Sequence, residues 1–274
     1  MKRLGVLGWP VAHSRSPAMQ RAALEDLGLT DWSYQLLPVP PEVFAETVRA
    51  LPDAGFVGAN VTIPHKEAAL ALADDATPAA RAIGAANTLS FGPDGAIHAD
   101  NTDAPGLLEA LRGAGMDPAG RTALVLGAGG SARAAAYALR RAGADVAVLN
   151  RTTPRAEAVA ADLGVRVARG PHEPAELLVN CTSAGLDGVS TPLKELGVSA
   201  DALGVFACVA DLVYRADGDT GLIAAARAQG VPVVDGLEVL VRQGALSLTA
   251  WTGRRPSHDL MRDAARGRHP HIRP

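Results

Sequence analysis

Apolar segments of strand length alternate with stretches of helical periodicity along most of the chain. This alternation is typical of βαβ units, in which helices cover a mostly parallel sheet. Up to residue 103 we predict strands at 4–8, 32–37 and 56–62, helices at 17–27, 41–51 and 66–73, and a hairpin of strands 86–91 and 96–99. From residue 104 we predict helices at 104–113, 131–142 and 237–251, and strands at 122–126, 145–149, 177–181, 205–212 and 231–234.

The length of the chain, 274 residues, exceeds the usual size of one domain, so we predict two α/β domains. The first is formed by residues 1–103, and the C-terminal helices in 237–274 pack back on it. The second is formed by residues 104–236. Ligand sites commonly lie between domains, so we expect the site in the cleft between these two.

The composition narrows the classes of partner. The net charge is −3 and 48% of the residues are apolar, so nothing favours nucleic acid or an anionic membrane. Cys181 and Cys208 do not form a CxxC pair, which fits a reducing cytoplasm. No apolar run approaches the roughly 20 residues of a membrane helix. We expect a cytoplasmic protein, monomeric or homodimeric, that acts on a small molecule.

A glycine-rich turn joins the strand predicted at 122–126 to the following helix. It consists of Gly127, Ala128, Gly129, Gly130, Ser131 and Ala132. A strand, a turn and a helix are the context that the dinucleotide-binding fingerprint requires. The glycines allow a tight turn and a close approach of the backbone to a pyrophosphate at the helix N-terminus. We therefore predict a Rossmann-like domain.

The tip of the next strand, at 145–149, indicates which dinucleotide is bound. NAD-specific sites usually carry an acidic residue there, about 20 residues after the glycines. Here the tip has no acid and instead reads Asn150, Arg151, Thr152, Thr153, Pro154 and Arg155. Arginine binds phosphate oxygens in a fork, so the two guanidinium groups favour the 2′-phosphate of NADP. If they are only surface arginines at a helix start, NAD remains possible.

Polar clusters of the first domain lie at or beyond predicted strand ends. Two hydroxyls, from Ser14 and Ser16, could hold a carboxylate, although Ser16 could equally cap the helix that follows. The other clusters are Asn60, Thr62 and Lys66; Asn87 and Thr88; and Asp100 to Asp103. Asn87 or Asp103 taken alone could be a turn or cap residue. Together these groups suit a substrate with several hydroxyls, so we predict that this is the substrate domain.

Reduction of a ketone needs a hydride, which the cofactor carries, and a proton for the forming alkoxide. Lys66 and Asp103 are the candidate proton-transfer pair, and a cationic Lys66 could also stabilise the oxyanion. The sequence does not decide which of them moves the proton. We predict no metal site, because His13, His65 and His98 stand apart from one another.

The motifs together resemble those of the shikimate dehydrogenase family, and the likeness covers nearly the whole chain. The segment from Asn60 to Lys66 is highly specific to that family, whereas the glycine turn alone is not. The other carriers are Ser14 to Pro17, Gly84 to Thr88, Asn101 to Asp103, Gly127 to Gly130, Asn150 to Thr152, Asn180 to Gly185, and Asp211 to Tyr214.

The resemblance implies NADPH-dependent, reversible reduction of 3-dehydroshikimate to shikimate, a step of aromatic amino-acid biosynthesis. It implies that Lys66 and Asp103 are catalytic. The implied substrate contacts are Ser14, Ser16, Asn60, Thr62, Asn87, Tyr214 and Gln243. The implied cofactor contacts are Gly127 to Ala132, Asn150, Arg151, Thr152, Arg155, Thr182, Ser183 and Gly236.

Three positions depart from the family pattern. The stretch after Tyr214 lacks the prolines that are common there, Val239 replaces a frequent methionine near the nicotinamide, and Gln20-Arg21 replaces a common His-Asn pair. Two alternatives stay open: an NAD-dependent quinate/shikimate dehydrogenase, and a non-catalytic NADP-binding sensor on the same scaffold.

Overall fold

The computed structural model describes residues 1–186, 192, 200–215 and 218–268. The chain forms two compact units, Met1–Thr102 with Val241–Pro274, and Asp103–Leu240. The unit boundaries thus fall after residues 102 and 240, where the sequence prediction placed them after 103 and 236. The roles of the two units as substrate and cofactor domains stay predictions.

Both units alternate helices with strands. The strands are β1 (Lys2–Gly8), β2 (Trp32–Pro38), β3 (Phe56–Val61), β4 (Asp75–Ala76), β5 (Thr88–Phe91), β6 (Ile97–Asp100), β7 (Thr122–Leu126), β8 (Asp145–Leu149), β9 (Arg166–Val167), β10 (Leu177–Asn180), β11 (Cys208–Asp211) and β12 (Val233–Val234). The helices are α1 (Ser16–Asp26), α2 (Phe44–Ala50), α3 (Lys66–Leu72), α4 (Pro78–Ile83), α5 (Asp103–Gly113), α6 (Gly130–Arg141), α7 (Thr153–Leu163), α8 (Gly221–Ala228), α9 (Gly236–Thr252) and α10 (His258–Ala265). None of these helices is long and apolar enough to cross a membrane.

The sheet of the first unit has the strand order β2-β1-β3-β5-β6-β4. β1 runs parallel to both β2 and β3, whereas β5 is antiparallel to β3 and β6. The predicted hairpin is confirmed, and Gly95 completes its turn with a φ of +81° that favours glycine. Trp251 on α9 donates from Nε1 to the carbonyl oxygen of Leu89 at 3.0 Å, which ties this C-terminal helix to β5.

The second sheet is entirely parallel, with the order β12-β11-β10-β7-β8-β9. Counted from its first strand in the chain, this order is 3-2-1-4-5-6, the arrangement of dinucleotide-binding domains. Ala123 and Val125 of β7 belong to one apolar core, and Leu124 and Leu126 belong to another. Because side chains alternate along a strand, the two cores lie on opposite faces of the sheet.

Several elements differ from the predicted ones. The helix predicted at 41–51 begins as a 3₁₀ turn, Pro41–Val43, and the strand predicted at 205–212 is preceded by another, Ala200–Val205. The apolar pattern did not predict α4 and α8. Each is preceded by a threonine N-cap whose hydroxyl accepts a hydrogen bond from a backbone N–H: Thr77 from Ala80 and Thr220 from Ile223. Caps rather than apolar periodicity therefore mark these short helices.

A buried carboxylate joins the ends of two central strands in the second unit. Asn180 and Asp211 are register partners of β10 and β11, and Asn180 Nδ2 donates to Asp211 Oδ1 at 2.8 Å. Asp211 also accepts from the backbone N–H of Val213 at 3.1 Å and from the hydroxyl of Thr220 at 2.6 Å. Burial raises the pKa of Asp211 to about 6, and the three hydrogen bonds oppose that rise.

This raised pKa predicts a pH-dependent contribution to stability. Because the folded-state pKa lies above the ordinary value of 3.8, the folded protein binds this proton more tightly than the unfolded chain. The resulting stabilisation is complete below about pH 4 and is lost as pH rises through about 6. Asp211→Asn removes it, so the unfolding free energy of wild type minus that of the variant should fall by about 2 kcal/mol between pH 4 and pH 7.5, measured by urea denaturation.

The matched control is Asp219→Asn, which removes a solvent-accessible carboxylate from the loop that precedes α8. Parallel pH profiles for wild type and Asp211→Asn would contradict the prediction.

Candidate active site

The glycine turn after β7 requires glycine at its first position. Gly127 has a φ of +109°, and a Cβ there would lie 3.2 Å from the carbonyl carbon and oxygen of Cys181. Gly129 is the N-cap residue of α6, and a Cβ built on it meets no atom within 4 Å. The first amides of a helix lack intrahelical acceptors and attract anions. This turn therefore combines open space with helix amides, which fits the pyrophosphate of a dinucleotide.

The loop after β10 lies next to Gly127, and hydrogen bonds of its own side chains fix its shape. Asn180 Oδ1 accepts from the backbone N–H of Thr182 at 3.1 Å and from its hydroxyl at 2.7 Å. The Thr182 hydroxyl accepts in turn from the backbone N–H of Ala184 at 3.2 Å. Since Asn180 also binds Asp211, the buried carboxylate orients this loop. Ser183 is exposed.

The tip of β8 presents two arginines to solvent. Arg151 and Arg155 are exposed, and no hydrogen bond or ion pair within the described ranges engages either guanidinium group. Asn150 donates from Nδ2 to the carbonyl oxygen of Thr152 at 3.0 Å, which bends the chain into α7. Two exposed guanidinium groups near the glycine turn fit a phosphate group.

In the segment Ser14 to Pro17, the structure contradicts the alternative that Ser16 caps the helix that follows. Ser16 is the first residue of α1, whose N-cap is Arg15, and no side chain caps this helix. Instead, Ser14 Oγ accepts from the backbone N–H of Ser16 at 3.3 Å. Pro17 is then the second helical residue, still within the first turn, where its missing N–H costs no intrahelical hydrogen bond. The Ser16 side chain is therefore available for a role other than capping.

Buried amides form a connected network in the first unit. Asn87 Nδ2 donates to Gln243 Oε1 at 3.0 Å, so these two predicted substrate contacts lie side by side. Asn60 Nδ2 donates to the carbonyl oxygen of Asn87 at 3.2 Å. All three side chains are less than a tenth exposed. The structure thus brings together three of the predicted substrate contacts, from β3, the start of β5 and α9.

Four further residues complete this network. The hydroxyl of Tyr34 donates to Asn60 Oδ1 at 2.8 Å, and the backbone N–H of Thr102 donates to Asn87 Oδ1 at 2.7 Å. The other two are Thr88 and Ser247, whose hydroxyl oxygens lie 2.8 Å apart. Thr88 and Thr102 belong to the polar clusters predicted from the sequence, although neither was assigned as a substrate contact. No pattern in the sequence pointed to Tyr34 or Ser247.

Lys66 and Asp103 are each the first residue of a helix and are each half-buried. Beside Lys66, the His65 ring stacks on Phe44 with centroids 4.3 Å apart, and Nε2 donates to the carbonyl oxygen of Val39 at 2.7 Å. Burial lowers the pKa of His65, so the imidazole is neutral at neutral pH. A rigid, uncharged residue therefore precedes Lys66.

The remaining predicted residues lie as follows. Thr62 and Tyr214 are half-buried, and Thr62 donates from its backbone N–H to Leu7 O at 2.8 Å. A Cβ at Gly236 would lie 2.5 Å from the carbonyl oxygen of Val213, so only glycine fits there. Val239 belongs to the apolar core of the second unit. Across the described residues, no group of three or more His, Cys, Asp or Glu side chains could hold a metal ion.

Comparison with known proteins places this geometry in a family. Profiles described as shikimate dehydrogenase substrate binding domain, shikimate/quinate 5-dehydrogenase and shikimate 5′-dehydrogenase C-terminal domain match residues 6–89, 110–178 and 236–266. The chain is 50% identical over 266 residues to a shikimate dehydrogenase (NADP(+)) of Methylobacterium radiotolerans, with 93% of this chain and 92% of the relative covered. It is 47% identical over 265 residues to one of Paracoccus denitrificans, with 93% and 92% covered.

A solved structure agrees with these sequence matches. The shikimate 5-dehydrogenase of Thermus thermophilus, solved in complex with NADP(H) and shikimate, is 44% identical to this chain. The match covers 98% of this chain and 100% of that one, with a TM-score of 0.87. The predicted family and the predicted class of two α/β domains are thereby confirmed. This chain belongs to the shikimate dehydrogenase family.

Proposed function

We propose that this chain is an NADP-dependent shikimate dehydrogenase, which reversibly reduces 3-dehydroshikimate to shikimate in aromatic amino-acid biosynthesis. The observation that carries the proposal is the buried network that joins Asn60, Asn87 and Gln243 in one unit. Buried polar side chains contribute less to the stability of a core than apolar ones do. A cluster of them therefore suits the binding of a ligand with several hydroxyls. The proposed setting is the cytoplasm, with a small molecule as the partner, no nucleic acid or membrane, and a monomeric or homodimeric enzyme.

The substrate carboxylate is assigned to the hydroxyls of Ser14 and Ser16. The Ser14 oxygen already accepts a hydrogen bond from the backbone N–H of Ser16, which leaves its O–H to donate. A hydroxyl whose O–H remains to donate is a suitable partner for an anion. The substrate hydroxyls are assigned to Asn87, Gln243, Thr62 and Tyr214.

The reduction adds a hydride to the carbonyl carbon and a proton to its oxygen. When bound, NADPH supplies the hydride. Lys66 and Asp103 are the proposed pair that moves the proton at the substrate oxygen, and the ammonium of Lys66 also stabilises the negative charge that develops there. The neutral, stacked His65 adds no competing charge beside this ammonium.

The cofactor is assigned to the glycine turn, the loop at Thr182 and the tip of β8. Gly129 offers open space at the start of α6, and Arg151 and Arg155 offer cations for the 2′-phosphate. Asn150, Thr152, Ser183 and Gly236 complete the proposed cofactor contacts.

The first experiment measures oxidation of shikimate and of quinate, each with NADP⁺ and with NAD⁺, by the absorbance of the reduced nicotinamide. We expect the highest kcat/KM with shikimate and NADP⁺. Equal efficiency with NAD⁺ would favour the quinate/shikimate enzyme that uses NAD. Binding of NADP⁺ without any turnover would favour the non-catalytic sensor.

The role of Lys66 predicts a selective loss of turnover. Lys66→Ala should lower kcat by roughly 10²–10⁴-fold, because it removes one member of the proton-transfer pair and the positive charge at the oxyanion, while the dissociation constant for shikimate changes little. Steady-state kinetics and calorimetric titration measure the two quantities. Lys2→Ala removes an ammonium from the start of β1 and should leave kcat unchanged. Full turnover in Lys66→Ala would reject the role.

The role of Arg151 predicts a change in cofactor preference. Arg151→Ala should raise the KM for NADP⁺ roughly tenfold and the KM for NAD⁺ less than about twofold, because only NADP carries the 2′-phosphate. Arg141→Ala, at the far end of α6, removes another exposed arginine and should change neither value. If Arg151→Ala weakens both cofactors alike, this arginine does not bind the 2′-phosphate.

A further inference from the structure

Ser247 is fully buried on α9, one helical turn after Gln243. Its hydroxyl donates to the carbonyl oxygen of Gln243 at 3.1 Å. The same oxygen accepts from Asn60 Nδ2 at 2.9 Å and lies 2.8 Å from Thr88 Oγ1 and 3.1 Å from Thr102 Oγ1. One small side chain therefore links α9 to β3, β5 and the segment before α5.

The orientation of the Asn60 amide follows from its neighbours. The carbonyl oxygen of Asn87 can only accept a hydrogen bond, so the Asn60 atom that faces it must be Nδ2. The second Nδ2 hydrogen goes to Ser247, and Oδ1 accepts from the hydroxyl of Tyr34. Both donors of Asn60 are thus used inside the protein. Asn60 can offer a substrate no more than the remaining lone pair of Oδ1.

The same network fixes Asn87 and Gln243. Asn87 Oδ1 accepts from the backbone N–H of Thr102, so Nδ2 must face Gln243 Oε1 and the Thr102 hydroxyl, at 3.0 and 2.9 Å. Thr102 is itself held by Ser247. The amides expected to contact the substrate are therefore oriented by hydroxyls behind them, and those hydroxyls meet at Ser247.

We propose that Ser247 is a positioning residue of this reaction, whose hydroxyl holds the amides of Asn60, Asn87 and Gln243 in the orientation that binds the substrate. The inference rests on the proposed function and assigns a role to a residue that contacts neither the reacting atoms nor the cofactor. Without this hydroxyl, Asn60 Nδ2, Thr88 and Thr102 lose their common partner. In a fully buried site water does not readily replace it, and the amides become free to turn.

The helix provides a matched control for the hydroxyl itself. Serine and threonine within a helix often donate to the carbonyl four residues earlier. Thr249 makes this bond to Ala245 at 2.8 Å, as Ser247 does to Gln243. The Thr249 hydroxyl contacts no amide of the network, so Thr249→Val removes the same local bond without disturbing the site.

The test compares Ser247→Ala with Thr249→Val in the full-length protein. We expect Ser247→Ala to lower kcat/KM for shikimate roughly tenfold, as the loss of one net hydrogen bond implies, with KM for NADP⁺ changed less than about twofold. Thr249→Val should change both values less than about twofold. Urea denaturation of both variants separates loss of folded protein from loss of orientation.

A second variant removes a hydrogen bond from the oxygen of the Asn60 amide instead of from its nitrogen. Tyr34→Phe removes the hydroxyl that donates to Asn60 Oδ1, and it should reproduce the selective loss for shikimate even if Ser247→Ala does not fold. In the double variant the two effects should be less than additive, because both act by releasing the same amide.

Each outcome separates the two proposals. If wild type oxidises shikimate but Ser247→Ala and Tyr34→Phe match Thr249→Val, only the positioning role is overturned. The positioning role is also overturned if the two variants weaken shikimate and NADP⁺ equally, since a general loss of structure explains that result. If wild type oxidises no shikimate, the proposed function fails and the positioning role falls with it.

Discussion

The need of buried polar groups for hydrogen-bond partners governs both units of this protein. Strands in an apolar core end in side chains that cannot reach water, so each must find its partner within the fold. Asn60 near the end of β3 and Asn180 at the end of β10 both meet this need with neighbours on adjacent strands or helices. Each solution also fixes the shape of a loop or amide cluster that a ligand is expected to contact. The hydrogen bonds that satisfy these buried side chains therefore also shape the groups proposed to contact a ligand.

The parts predictable from the sequence are those whose physics is local. The bounds of β7 and β8 match the prediction because both are short strands of a parallel sheet that are apolar after their first residues, Thr122 and Asp145. Gly127 was recognisable because a tight strand-to-helix turn requires glycine, and its positive φ confirms that need. The family motif was recognisable because its residues are contiguous. The function assigned to that motif came from the resemblance and not from the spacing of its residues.

The parts that the sequence did not reveal depend on contacts between distant residues. Ser247 meets Asn60 across 187 positions of sequence, and nothing near Ser247 distinguishes it from an ordinary helical serine. The predicted start of α1 was wrong for a different reason. Ser16 and Pro17 match the sequence pattern of an N-cap and a first helical residue, but the helix begins one residue earlier. Local rules restrict the choices there, and the surrounding structure selects among them.

In each unit, hydrogen-bond capacity separates side chains that hold other groups in place from those that keep donors for a ligand. Asn60 and the Thr182 hydroxyl use all their donors within the chain, so they act chiefly by holding other groups in place. Among the residues that the structure describes, Ser14 Oγ is used as an acceptor and Arg151 is exposed with no counter-ion, so both keep donors for an anion. Asn60 is buried near the end of β3, whereas Arg151 is exposed. A ligand that needs only the unsaturated donors binds without breaking the hydrogen bonds of the saturated groups, so an arrangement of fixed buried side chains is compatible with ligand binding.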